Sequence, residues 1–533
     1  MKTKKLIRLV LFPLTIILVA CGNSPASVSQ PGVQDPSAAD TSQVTQLPVK
    51  TGASSDEFDA ASAVQPNLTY PIVDTNQTFC YDDSSSIACP SERAAFYGQD
   101  AQYAGNAPRY QDNGDGTVSD LVTSLMWQQD PGEKMTYDQA VAGASSFNLA
   151  GYTDWRLPTV KELYSLIQFS GTDASICMSG GACNSIPFID TNYFNFEYGN
   201  THAGERIIDS QWATSSVYTG TVFGGQQAMF GVNFADGRIK GYPTGVGRDG
   251  QIKTYFVIYV RGNISYGIND FVDNGNGTVT DKATGLTWTQ NDSGSSLDWE
   301  TALNYCADLD YAGITDWRLP NAKELQSIVD YSRSPDGSNS AAINPVFDIS
   351  TITNKAGQAD YPAFWSSTTH VSANGSGRSG VYVTFGRALG YMNGQWMDVH
   401  GAGAQRAEDK SGDPSQYPTG HGPQGDAVRI FNYVRCVTGG TSNDVHVGGA
   451  VDDTSTPLGQ TPNDQVSQSQ GRGPQQTGQP PQAAIDACSG LSQNAACSVN
   501  TPKGTVTGSC LVVQSGPLAC IPVEGPPPGA GQP

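Results

Sequence analysis

The stretch GYTDWRLPTVKEL (151–163) is written again as GITDWRLPNAKEL (313–325). No other feature of the chain restricts its fold as much, because a recurring block implies a recurring structural unit. The block belongs to a series of five in one order. YQDNGDGTVSD (110–120) matches FVDNGNGTVTD (271–281), and SLMWQQ (124–129) matches GLTWTQ (285–290). WATSS (212–216) is set against WSSTT (365–369), and FVIYVRG (256–262) against FNYVRCV (431–437). The offset stays near 161 residues from Asp112/Asp273 to Trp155/Trp317. This predicts two copies of one module, residues 76–262 with a lead-in and residues 263–440.

Each module reads as α+β. TVSD and LMWQ are short strands, and Asn113-Gly114 and Asp115-Gly116 supply the positive φ of a tight turn. TYDQAVAGASSF (136–147) and DWETALNYCADL (298–309) have helical spacing, with Asp298 as a cap. TVKELYSLIQF (159–169) and NAKELQSIVDY (321–331) read as second helices, capped by Thr159 and Asn321 behind Pro158 and Pro320. GVYVTF (380–385) is a strand.

The flanks differ in composition. Lys2, Lys4, Lys5 and Arg8 precede a short apolar run, so residues 1–20 read as a signal peptide. Leu18-Val19-Ala20-Cys21-Gly22 is similar to the lipobox of bacterial lipoproteins, which implies a lipid on Cys21. With Gly22 behind it, that resemblance points to the outer membrane, facing the cell surface or the periplasm. Residues 21–75 and 441–487 are rich in Ser, Pro, Gln, Asp and Thr and read as a disordered tether and linker. A coil of the tether's length spans on the order of 40 Å. Residues 488–533 form a small cysteine-rich tail.

Only 15% of residues are charged, there are 60 glycines, and the net charge is −21. Such a chain repels nucleic acid as a whole. Ten of the 11 cysteines remain once Cys21 is set aside, an even number that suits disulfides in an oxidising compartment. They fall as Cys80 with Cys89, Cys177 with Cys183, Cys306 with Cys436, and a group of Cys488, Cys497, Cys510 and Cys520 whose connectivity stays open.

The blocks DNGDGTVSD, LMW, DWRLPTVKEL and YVR together resemble the C-terminal domain family named after the Legionella collagen-like protein, and both copies match. FCYDDSSSIACP (79–90) is similar to the lead-in of that family. The resemblance implies two tandem C-type-lectin-like domains with two helices each, and binding of a polysaccharide or another surface ligand. It also implies a distant likeness to formylglycine-generating enzymes, for which Cys436 is the candidate thiol. Repeat 1 has Ala144 and Gly262 where repeat 2 is expected to have Cys306 and Cys436, and their joint absence argues for a disulfide and against an enzyme. No cofactor is expected.

Three motifs carry the functional question. Trp155, Arg156 and Glu162, repeated as Trp317, Arg318 and Glu324, read as an Arg–Glu pair fixing a strand-to-helix corner. DNGDG places glycines at positions 3 and 5 of a calcium loop and is read as a turn; no metal ligands are assigned. The five histidines read as solvated loop residues. A long loop over about 386–426, with a shorter counterpart near 237–253, is the first choice for a ligand site. It carries Tyr391, Trp396, Asp398, His400, Arg406, Tyr417 and His421, in which exposed aromatics beside polar groups suit stacking on a sugar or gripping a protein. The alternatives weighed are aromatics that anchor the loop to its own domain, a metal on Asp398, His400 and His421, and a structural role in an envelope assembly.

Overall fold

The computed structural model describes residues 68–177, 185–247 and 250–440, and parts of the tail between 487 and 522. The signal peptide, Cys21, the tether up to residue 67, Cys183 and the 441–486 linker lie outside the described residues. Residues 68–440 fall in one compact unit, and the described tail residues fall in another.

Each repeat opens with an antiparallel sheet made for the same reason. In repeat 1 the strands Tyr110–Asp112, Thr117–Asp120 and Leu125–Gln128 are joined by Val260–Gly262. In repeat 2 the strands Phe271–Asp273, Thr278–Asp281 and Leu286–Thr289 are joined by Val437–Thr438. The DNGDG acids serve the turn. Asp112 Oδ1 accepts from the Gly114 amide at 2.8 Å, and Asp115 Oδ1 accepts from the Thr117 hydroxyl at 2.6 Å. Asp273 and Asn276 make the same bonds in the second copy.

The helices form where the caps stand. Helix α1 (Tyr137–Ala144) starts at Thr136 and α2 (Val160–Tyr164) at Thr159. Helix α3 (Trp299–Ala307) starts at Asp298 and α4 (Ala322–Ser327) at Asn321. Both α2 and α4 are shorter than the apolar spacing predicts. Glu162 and Glu324 close capping boxes, accepting from the Thr159 and Asn321 amides at 2.8 and 2.9 Å. The same carboxylates hold the arginines: Arg156 at 2.6 Å, and Arg318 through two bonds of 2.6 Å. One Glu therefore ties the helix start to the preceding strand, the corner that the motif predicts.

The repeats are not separate beads. Ala363–His370, Ser379–Thr384 and Gln405–Asp409 of repeat 2 continue into Arg238–Pro243, Ala228–Asn233 and Gln211–Trp212 of repeat 1 as a six-stranded sheet. The seam is the pair Gln405↔Ile239. One apolar core holds Trp127 and Trp212 together with Trp288 and Phe364, and each repeat keeps a second, private core. The motif lysines cross the boundary reciprocally. Lys161 Nζ donates to the Ser327 carbonyl at 2.7 Å, and Lys323 Nζ donates to the Ser165 carbonyl at 2.9 Å. Each lysine thus completes the last turn of the opposite repeat's helix, where carbonyls lack partners. Burial pushes Lys161 down to about 8 and Lys323 to about 7.

Two matched blocks shift against each other in space. Val260 and Val437 occupy one place, bridging Arg156 and Arg318, so Cys436 corresponds to Tyr259 and not to Gly262. Ala213 and Trp365 donate to the carbonyls of Phe256 and Tyr433, which stand equally far before Val260 and Val437 of the closing strands, so Trp212 corresponds to Phe364. The lead-in is also displaced from expectation: residues 74–103 pack on repeat 2, through Thr368, Thr369 and Arg318.

The disulfides Cys80–Cys89 and Cys306–Cys436 are formed as predicted. Cys177 is disulfide-bonded. In the tail, a three-stranded sheet (Ala496–Thr501, Gly504–Val512, Leu518–Pro522) carries Cys488–Cys510 and Cys497–Cys520, which resolves its connectivity.

Candidate ligand-binding site

Residues 386–426 are not the irregular loop that their Gly content predicts. Leu389–Met392 and Gln395–Asp398 form a hairpin, and Gln405–Asp409 is the seam strand of repeat 2. Asn393-Gly394 makes the hairpin's turn with φ of 53° and 78°, the pair of positive values a two-residue turn needs. The repeat 1 counterpart of the hairpin segment is only the short turn 234–237, between Ala228–Asn233 and Arg238–Pro243.

Tyr391 and Trp396 face one another across the hairpin. Their ring centroids are 5.3 Å apart and tilted by 64°. Lys355 Nζ lies 5.1 Å from the Trp396 centroid. Both rings are partly buried.

The polar residues of the segment turn inward. Asp398 is buried; its Oδ2 accepts from the Tyr218 hydroxyl of repeat 1 at 2.7 Å, and burial pushes its pKa up to about 6. His400 is buried with Nε2 2.9 Å from Asp426 Oδ1; desolvation, then the Arg406 charge, lowers it to about 4. Arg406 pairs with the other Asp426 oxygen. His421 is more exposed, bonded to Glu408 at 3.1 Å, and that bond raises its pKa. Asp398, His400 and His421, weighed together as metal ligands, are thus held by three different partners. His370 also departs from the solvated reading: it is buried in Ala363–His370, 2.8 Å from the Asp236 carbonyl.

The hairpin's aromatics meet one another, Lys355 and the Gly425 backbone, all within repeat 2, as the anchoring alternative has it, while the backbone that follows them reaches across to repeat 1. The Asp398 carbonyl accepts from Phe223 N at 2.9 Å, and the His400 carbonyl from Gly241 N at 2.7 Å. Between them lies a cleft of about 320 Å³ lined by Arg206, Lys240, Tyr242, Lys253, Tyr255 and His400. Gln424 lines the cleft, and the adjacent Gly425 carbonyl accepts from the Tyr391 amide at 2.8 Å. The aromatic pair and the cleft are therefore neighbours. Sequence reasoning named the aromatics but missed the cleft, whose basic side chains come from repeat 1. It also missed the crossing lysines, although Lys161 and Lys323 stand at one position of the repeated motif.

Fold and motif together define a tandem duplicate of one α+β module, fused through a shared sheet. The family model for the Lcl C-terminal domain matches residues 116–261 and 277–400, half of the chain, and the protein belongs to that family. No curated protein and no solved structure matches the chain. The family match stops at His400, before the seam strand Gln405–Asp409 and the closing strand Val437–Thr438 that complete repeat 2.

Proposed function

We propose that this is a non-enzymatic binding protein, lipid-anchored through Cys21 in the outer membrane, that takes a polysaccharide or another surface ligand on the Tyr391–Trp396 face. The observation that carries the reading is the aromatic pair itself: two partly exposed rings, with a cation beside them, on a hairpin held to both repeats. A sugar ring stacks on such a face at little entropic cost, because the rings are already positioned. The bond of Cys436 to Cys306 supports binding over oxidase chemistry, which needs that sulfur as a thiol. The C-type-lectin-like description of the module belongs to this proposal and rests on the resemblance.

The test is a glycan array probed with the oxidised full chain and with Trp396→Ala. Saturable binding lost in the variant, at unchanged thermal stability, is the expected result. Binding that survives the substitution sinks the site. A second reading, a protein-docking component of an envelope assembly, is favoured by a separate open cleft beside Arg156, lined by residues of both repeats.

A further inference from the structure

The two repeats present the same surface around Arg156 and Arg318, but only one of them is covered. The match is fixed by hydrogen bonds: Val160 N donates to Ser216 Oγ at 3.0 Å, as Ala322 N donates to Thr368 Oγ1 at 2.9 Å. On repeat 2 the lead-in lies over this surface. Phe169 N donates to the Thr75 carbonyl at 2.7 Å, and Asn76 Nδ2 donates to Gln168 Oε1 at 3.1 Å. Gln77 exchanges two bonds with the Thr369 backbone, at 2.7 and 2.8 Å. Thr368 and Thr75 both donate to Asp100 Oδ2, and the Arg318 guanidinium sits 5.4 Å from the Tyr103 ring centroid.

Around Arg156 the corresponding residues are Val217 and Ser216 of repeat 1 with Tyr331 and Asp330 of repeat 2, and no segment of the described chain lies over them in this way. Repeat 2 is preceded only by the short stretch 263–270, too brief to make the excursion of residues 74–106. The Arg156 side chain is 31% exposed where Arg318 is 4%. Val217 is 47% exposed where Thr369 is fully buried. What remains is a cleft of about 500 Å³, lined by Arg156, Lys161, Ser216, Asp330 and Tyr331. Ile264 and Ile268, at its edge, are 80% and 62% exposed. Exposed apolar side chains of this size around a preformed cleft mark an interaction surface.

We infer that this cleft docks a segment of a partner protein carrying a carboxylate three residues before an aromatic ring, as Asp100 precedes Tyr103 on repeat 2. The chemistry is complementary at each point. The Ser216 hydroxyl accepts from Val160 N and keeps its own proton to donate to a carboxylate, as Thr368 does to Asp100. The Arg156 guanidinium has its outer face open to an aromatic ring, the place Tyr103 takes on Arg318. Asp330 stands where Gln168 accepts from an amide; its Oδ1 already accepts from the Ser332 amide and hydroxyl, so a donor on the partner would meet its other oxygen. Docking here does not use Tyr391 or Trp396 and stands apart from the glycan reading.

The probe is a fluorescein-labelled peptide of residues 97–106, YGQDAQYAGN, titrated into the full chain and followed by anisotropy. The expected result is saturable binding that weakens about tenfold or more when the peptide carries Asn in place of Asp100. The exposed-edge variant Ile268→Glu, folded by the criterion of an unchanged melting temperature, is expected to weaken it similarly, and Trp396→Ala to leave it unchanged. Binding indifferent to both the peptide's carboxylate and Ile268→Glu overturns the proposal. So does a full chain that takes up no peptide, whether its own residues 22–67 or a second copy fills the cleft; crosslinking from Ile268→Cys tells those two apart.

Discussion

Repeat 1 and repeat 2 solve one packing problem with different chemistry. In repeat 2 the first helix is bonded to the closing strand through Cys306–Cys436. In repeat 1 the same places hold Ala144 and Tyr259. The Tyr259 hydroxyl donates to the Ala140 carbonyl of the helix at 2.9 Å, and its ring meets Phe147 at 4.7 Å. Gly143 leaves the space for that hydroxyl, since a Cβ there would stand 2.5 Å from it. Volume is traded in the same core. Repeat 2 places Trp365 against Gly380, and repeat 1 places Ala213 against Met229. A module can therefore keep its backbone while exchanging a covalent link for a buried hydroxyl, and one large side chain for another on the facing strand.

The contrast can be broken from either side. The largest effect is expected from Cys436→Ser, which opens a loop with a sequence separation of 130 residues. In the chain-entropy account its loss costs roughly 4–5 kcal/mol. Thermal unfolding with and without reductant reads it, and an unchanged melting temperature would mean that packing alone holds repeat 2.

A second difference lies at the seam, where Tyr218 of repeat 1 and His370 of repeat 2 take corresponding places. Burial, and then the Arg238 charge, depresses His370 to about 4. The folded state then holds fewer protons than the unfolded chain, so this contribution is complete above about pH 6.5 and is lost as pH falls toward 4. Relative to His370→Gln, the native chain is expected to lose up to about 3 kcal/mol across that window. Parallel acid-unfolding curves for the two proteins would refute it. The smallest effect belongs to Tyr259→Phe, about 1 kcal/mol for one buried hydrogen bond. Urea unfolding measures it, and a loss as large as that of Cys436→Ser would mean the hydroxyl is the equal of the disulfide.

Local features of the fold were legible in the sequence. The caps Thr159, Asn321 and Asp298, the DNGDG turns and the Cys306–Cys436 pair all rest on short spacings or on paired presence and absence. The alignment of the later blocks was not legible. Matching Trp212 to Trp365 follows identical letters, whereas the sheet places Ala213 there, and a one-residue shift moves a side chain to the other face. Compensation at Met229 and Gly380 hides that shift from a reader of letters. Of the candidate site, Tyr391 and Trp396 were visible as aromatics in a Gly-rich stretch. The burial of Asp398 and His400 was not, because it is imposed by Tyr218 and Gly241 of the other repeat.

The reciprocal reach of Lys161 and Lys323 has a consequence for growth by duplication. Each repeat spends the same face on its sibling, and the seam joins like strand to like strand. An association of that kind closes on itself. Solenoids present a fresh surface after every unit and lengthen without limit. Here a third copy would find both matching faces already taken, so this arrangement counts to two and stops.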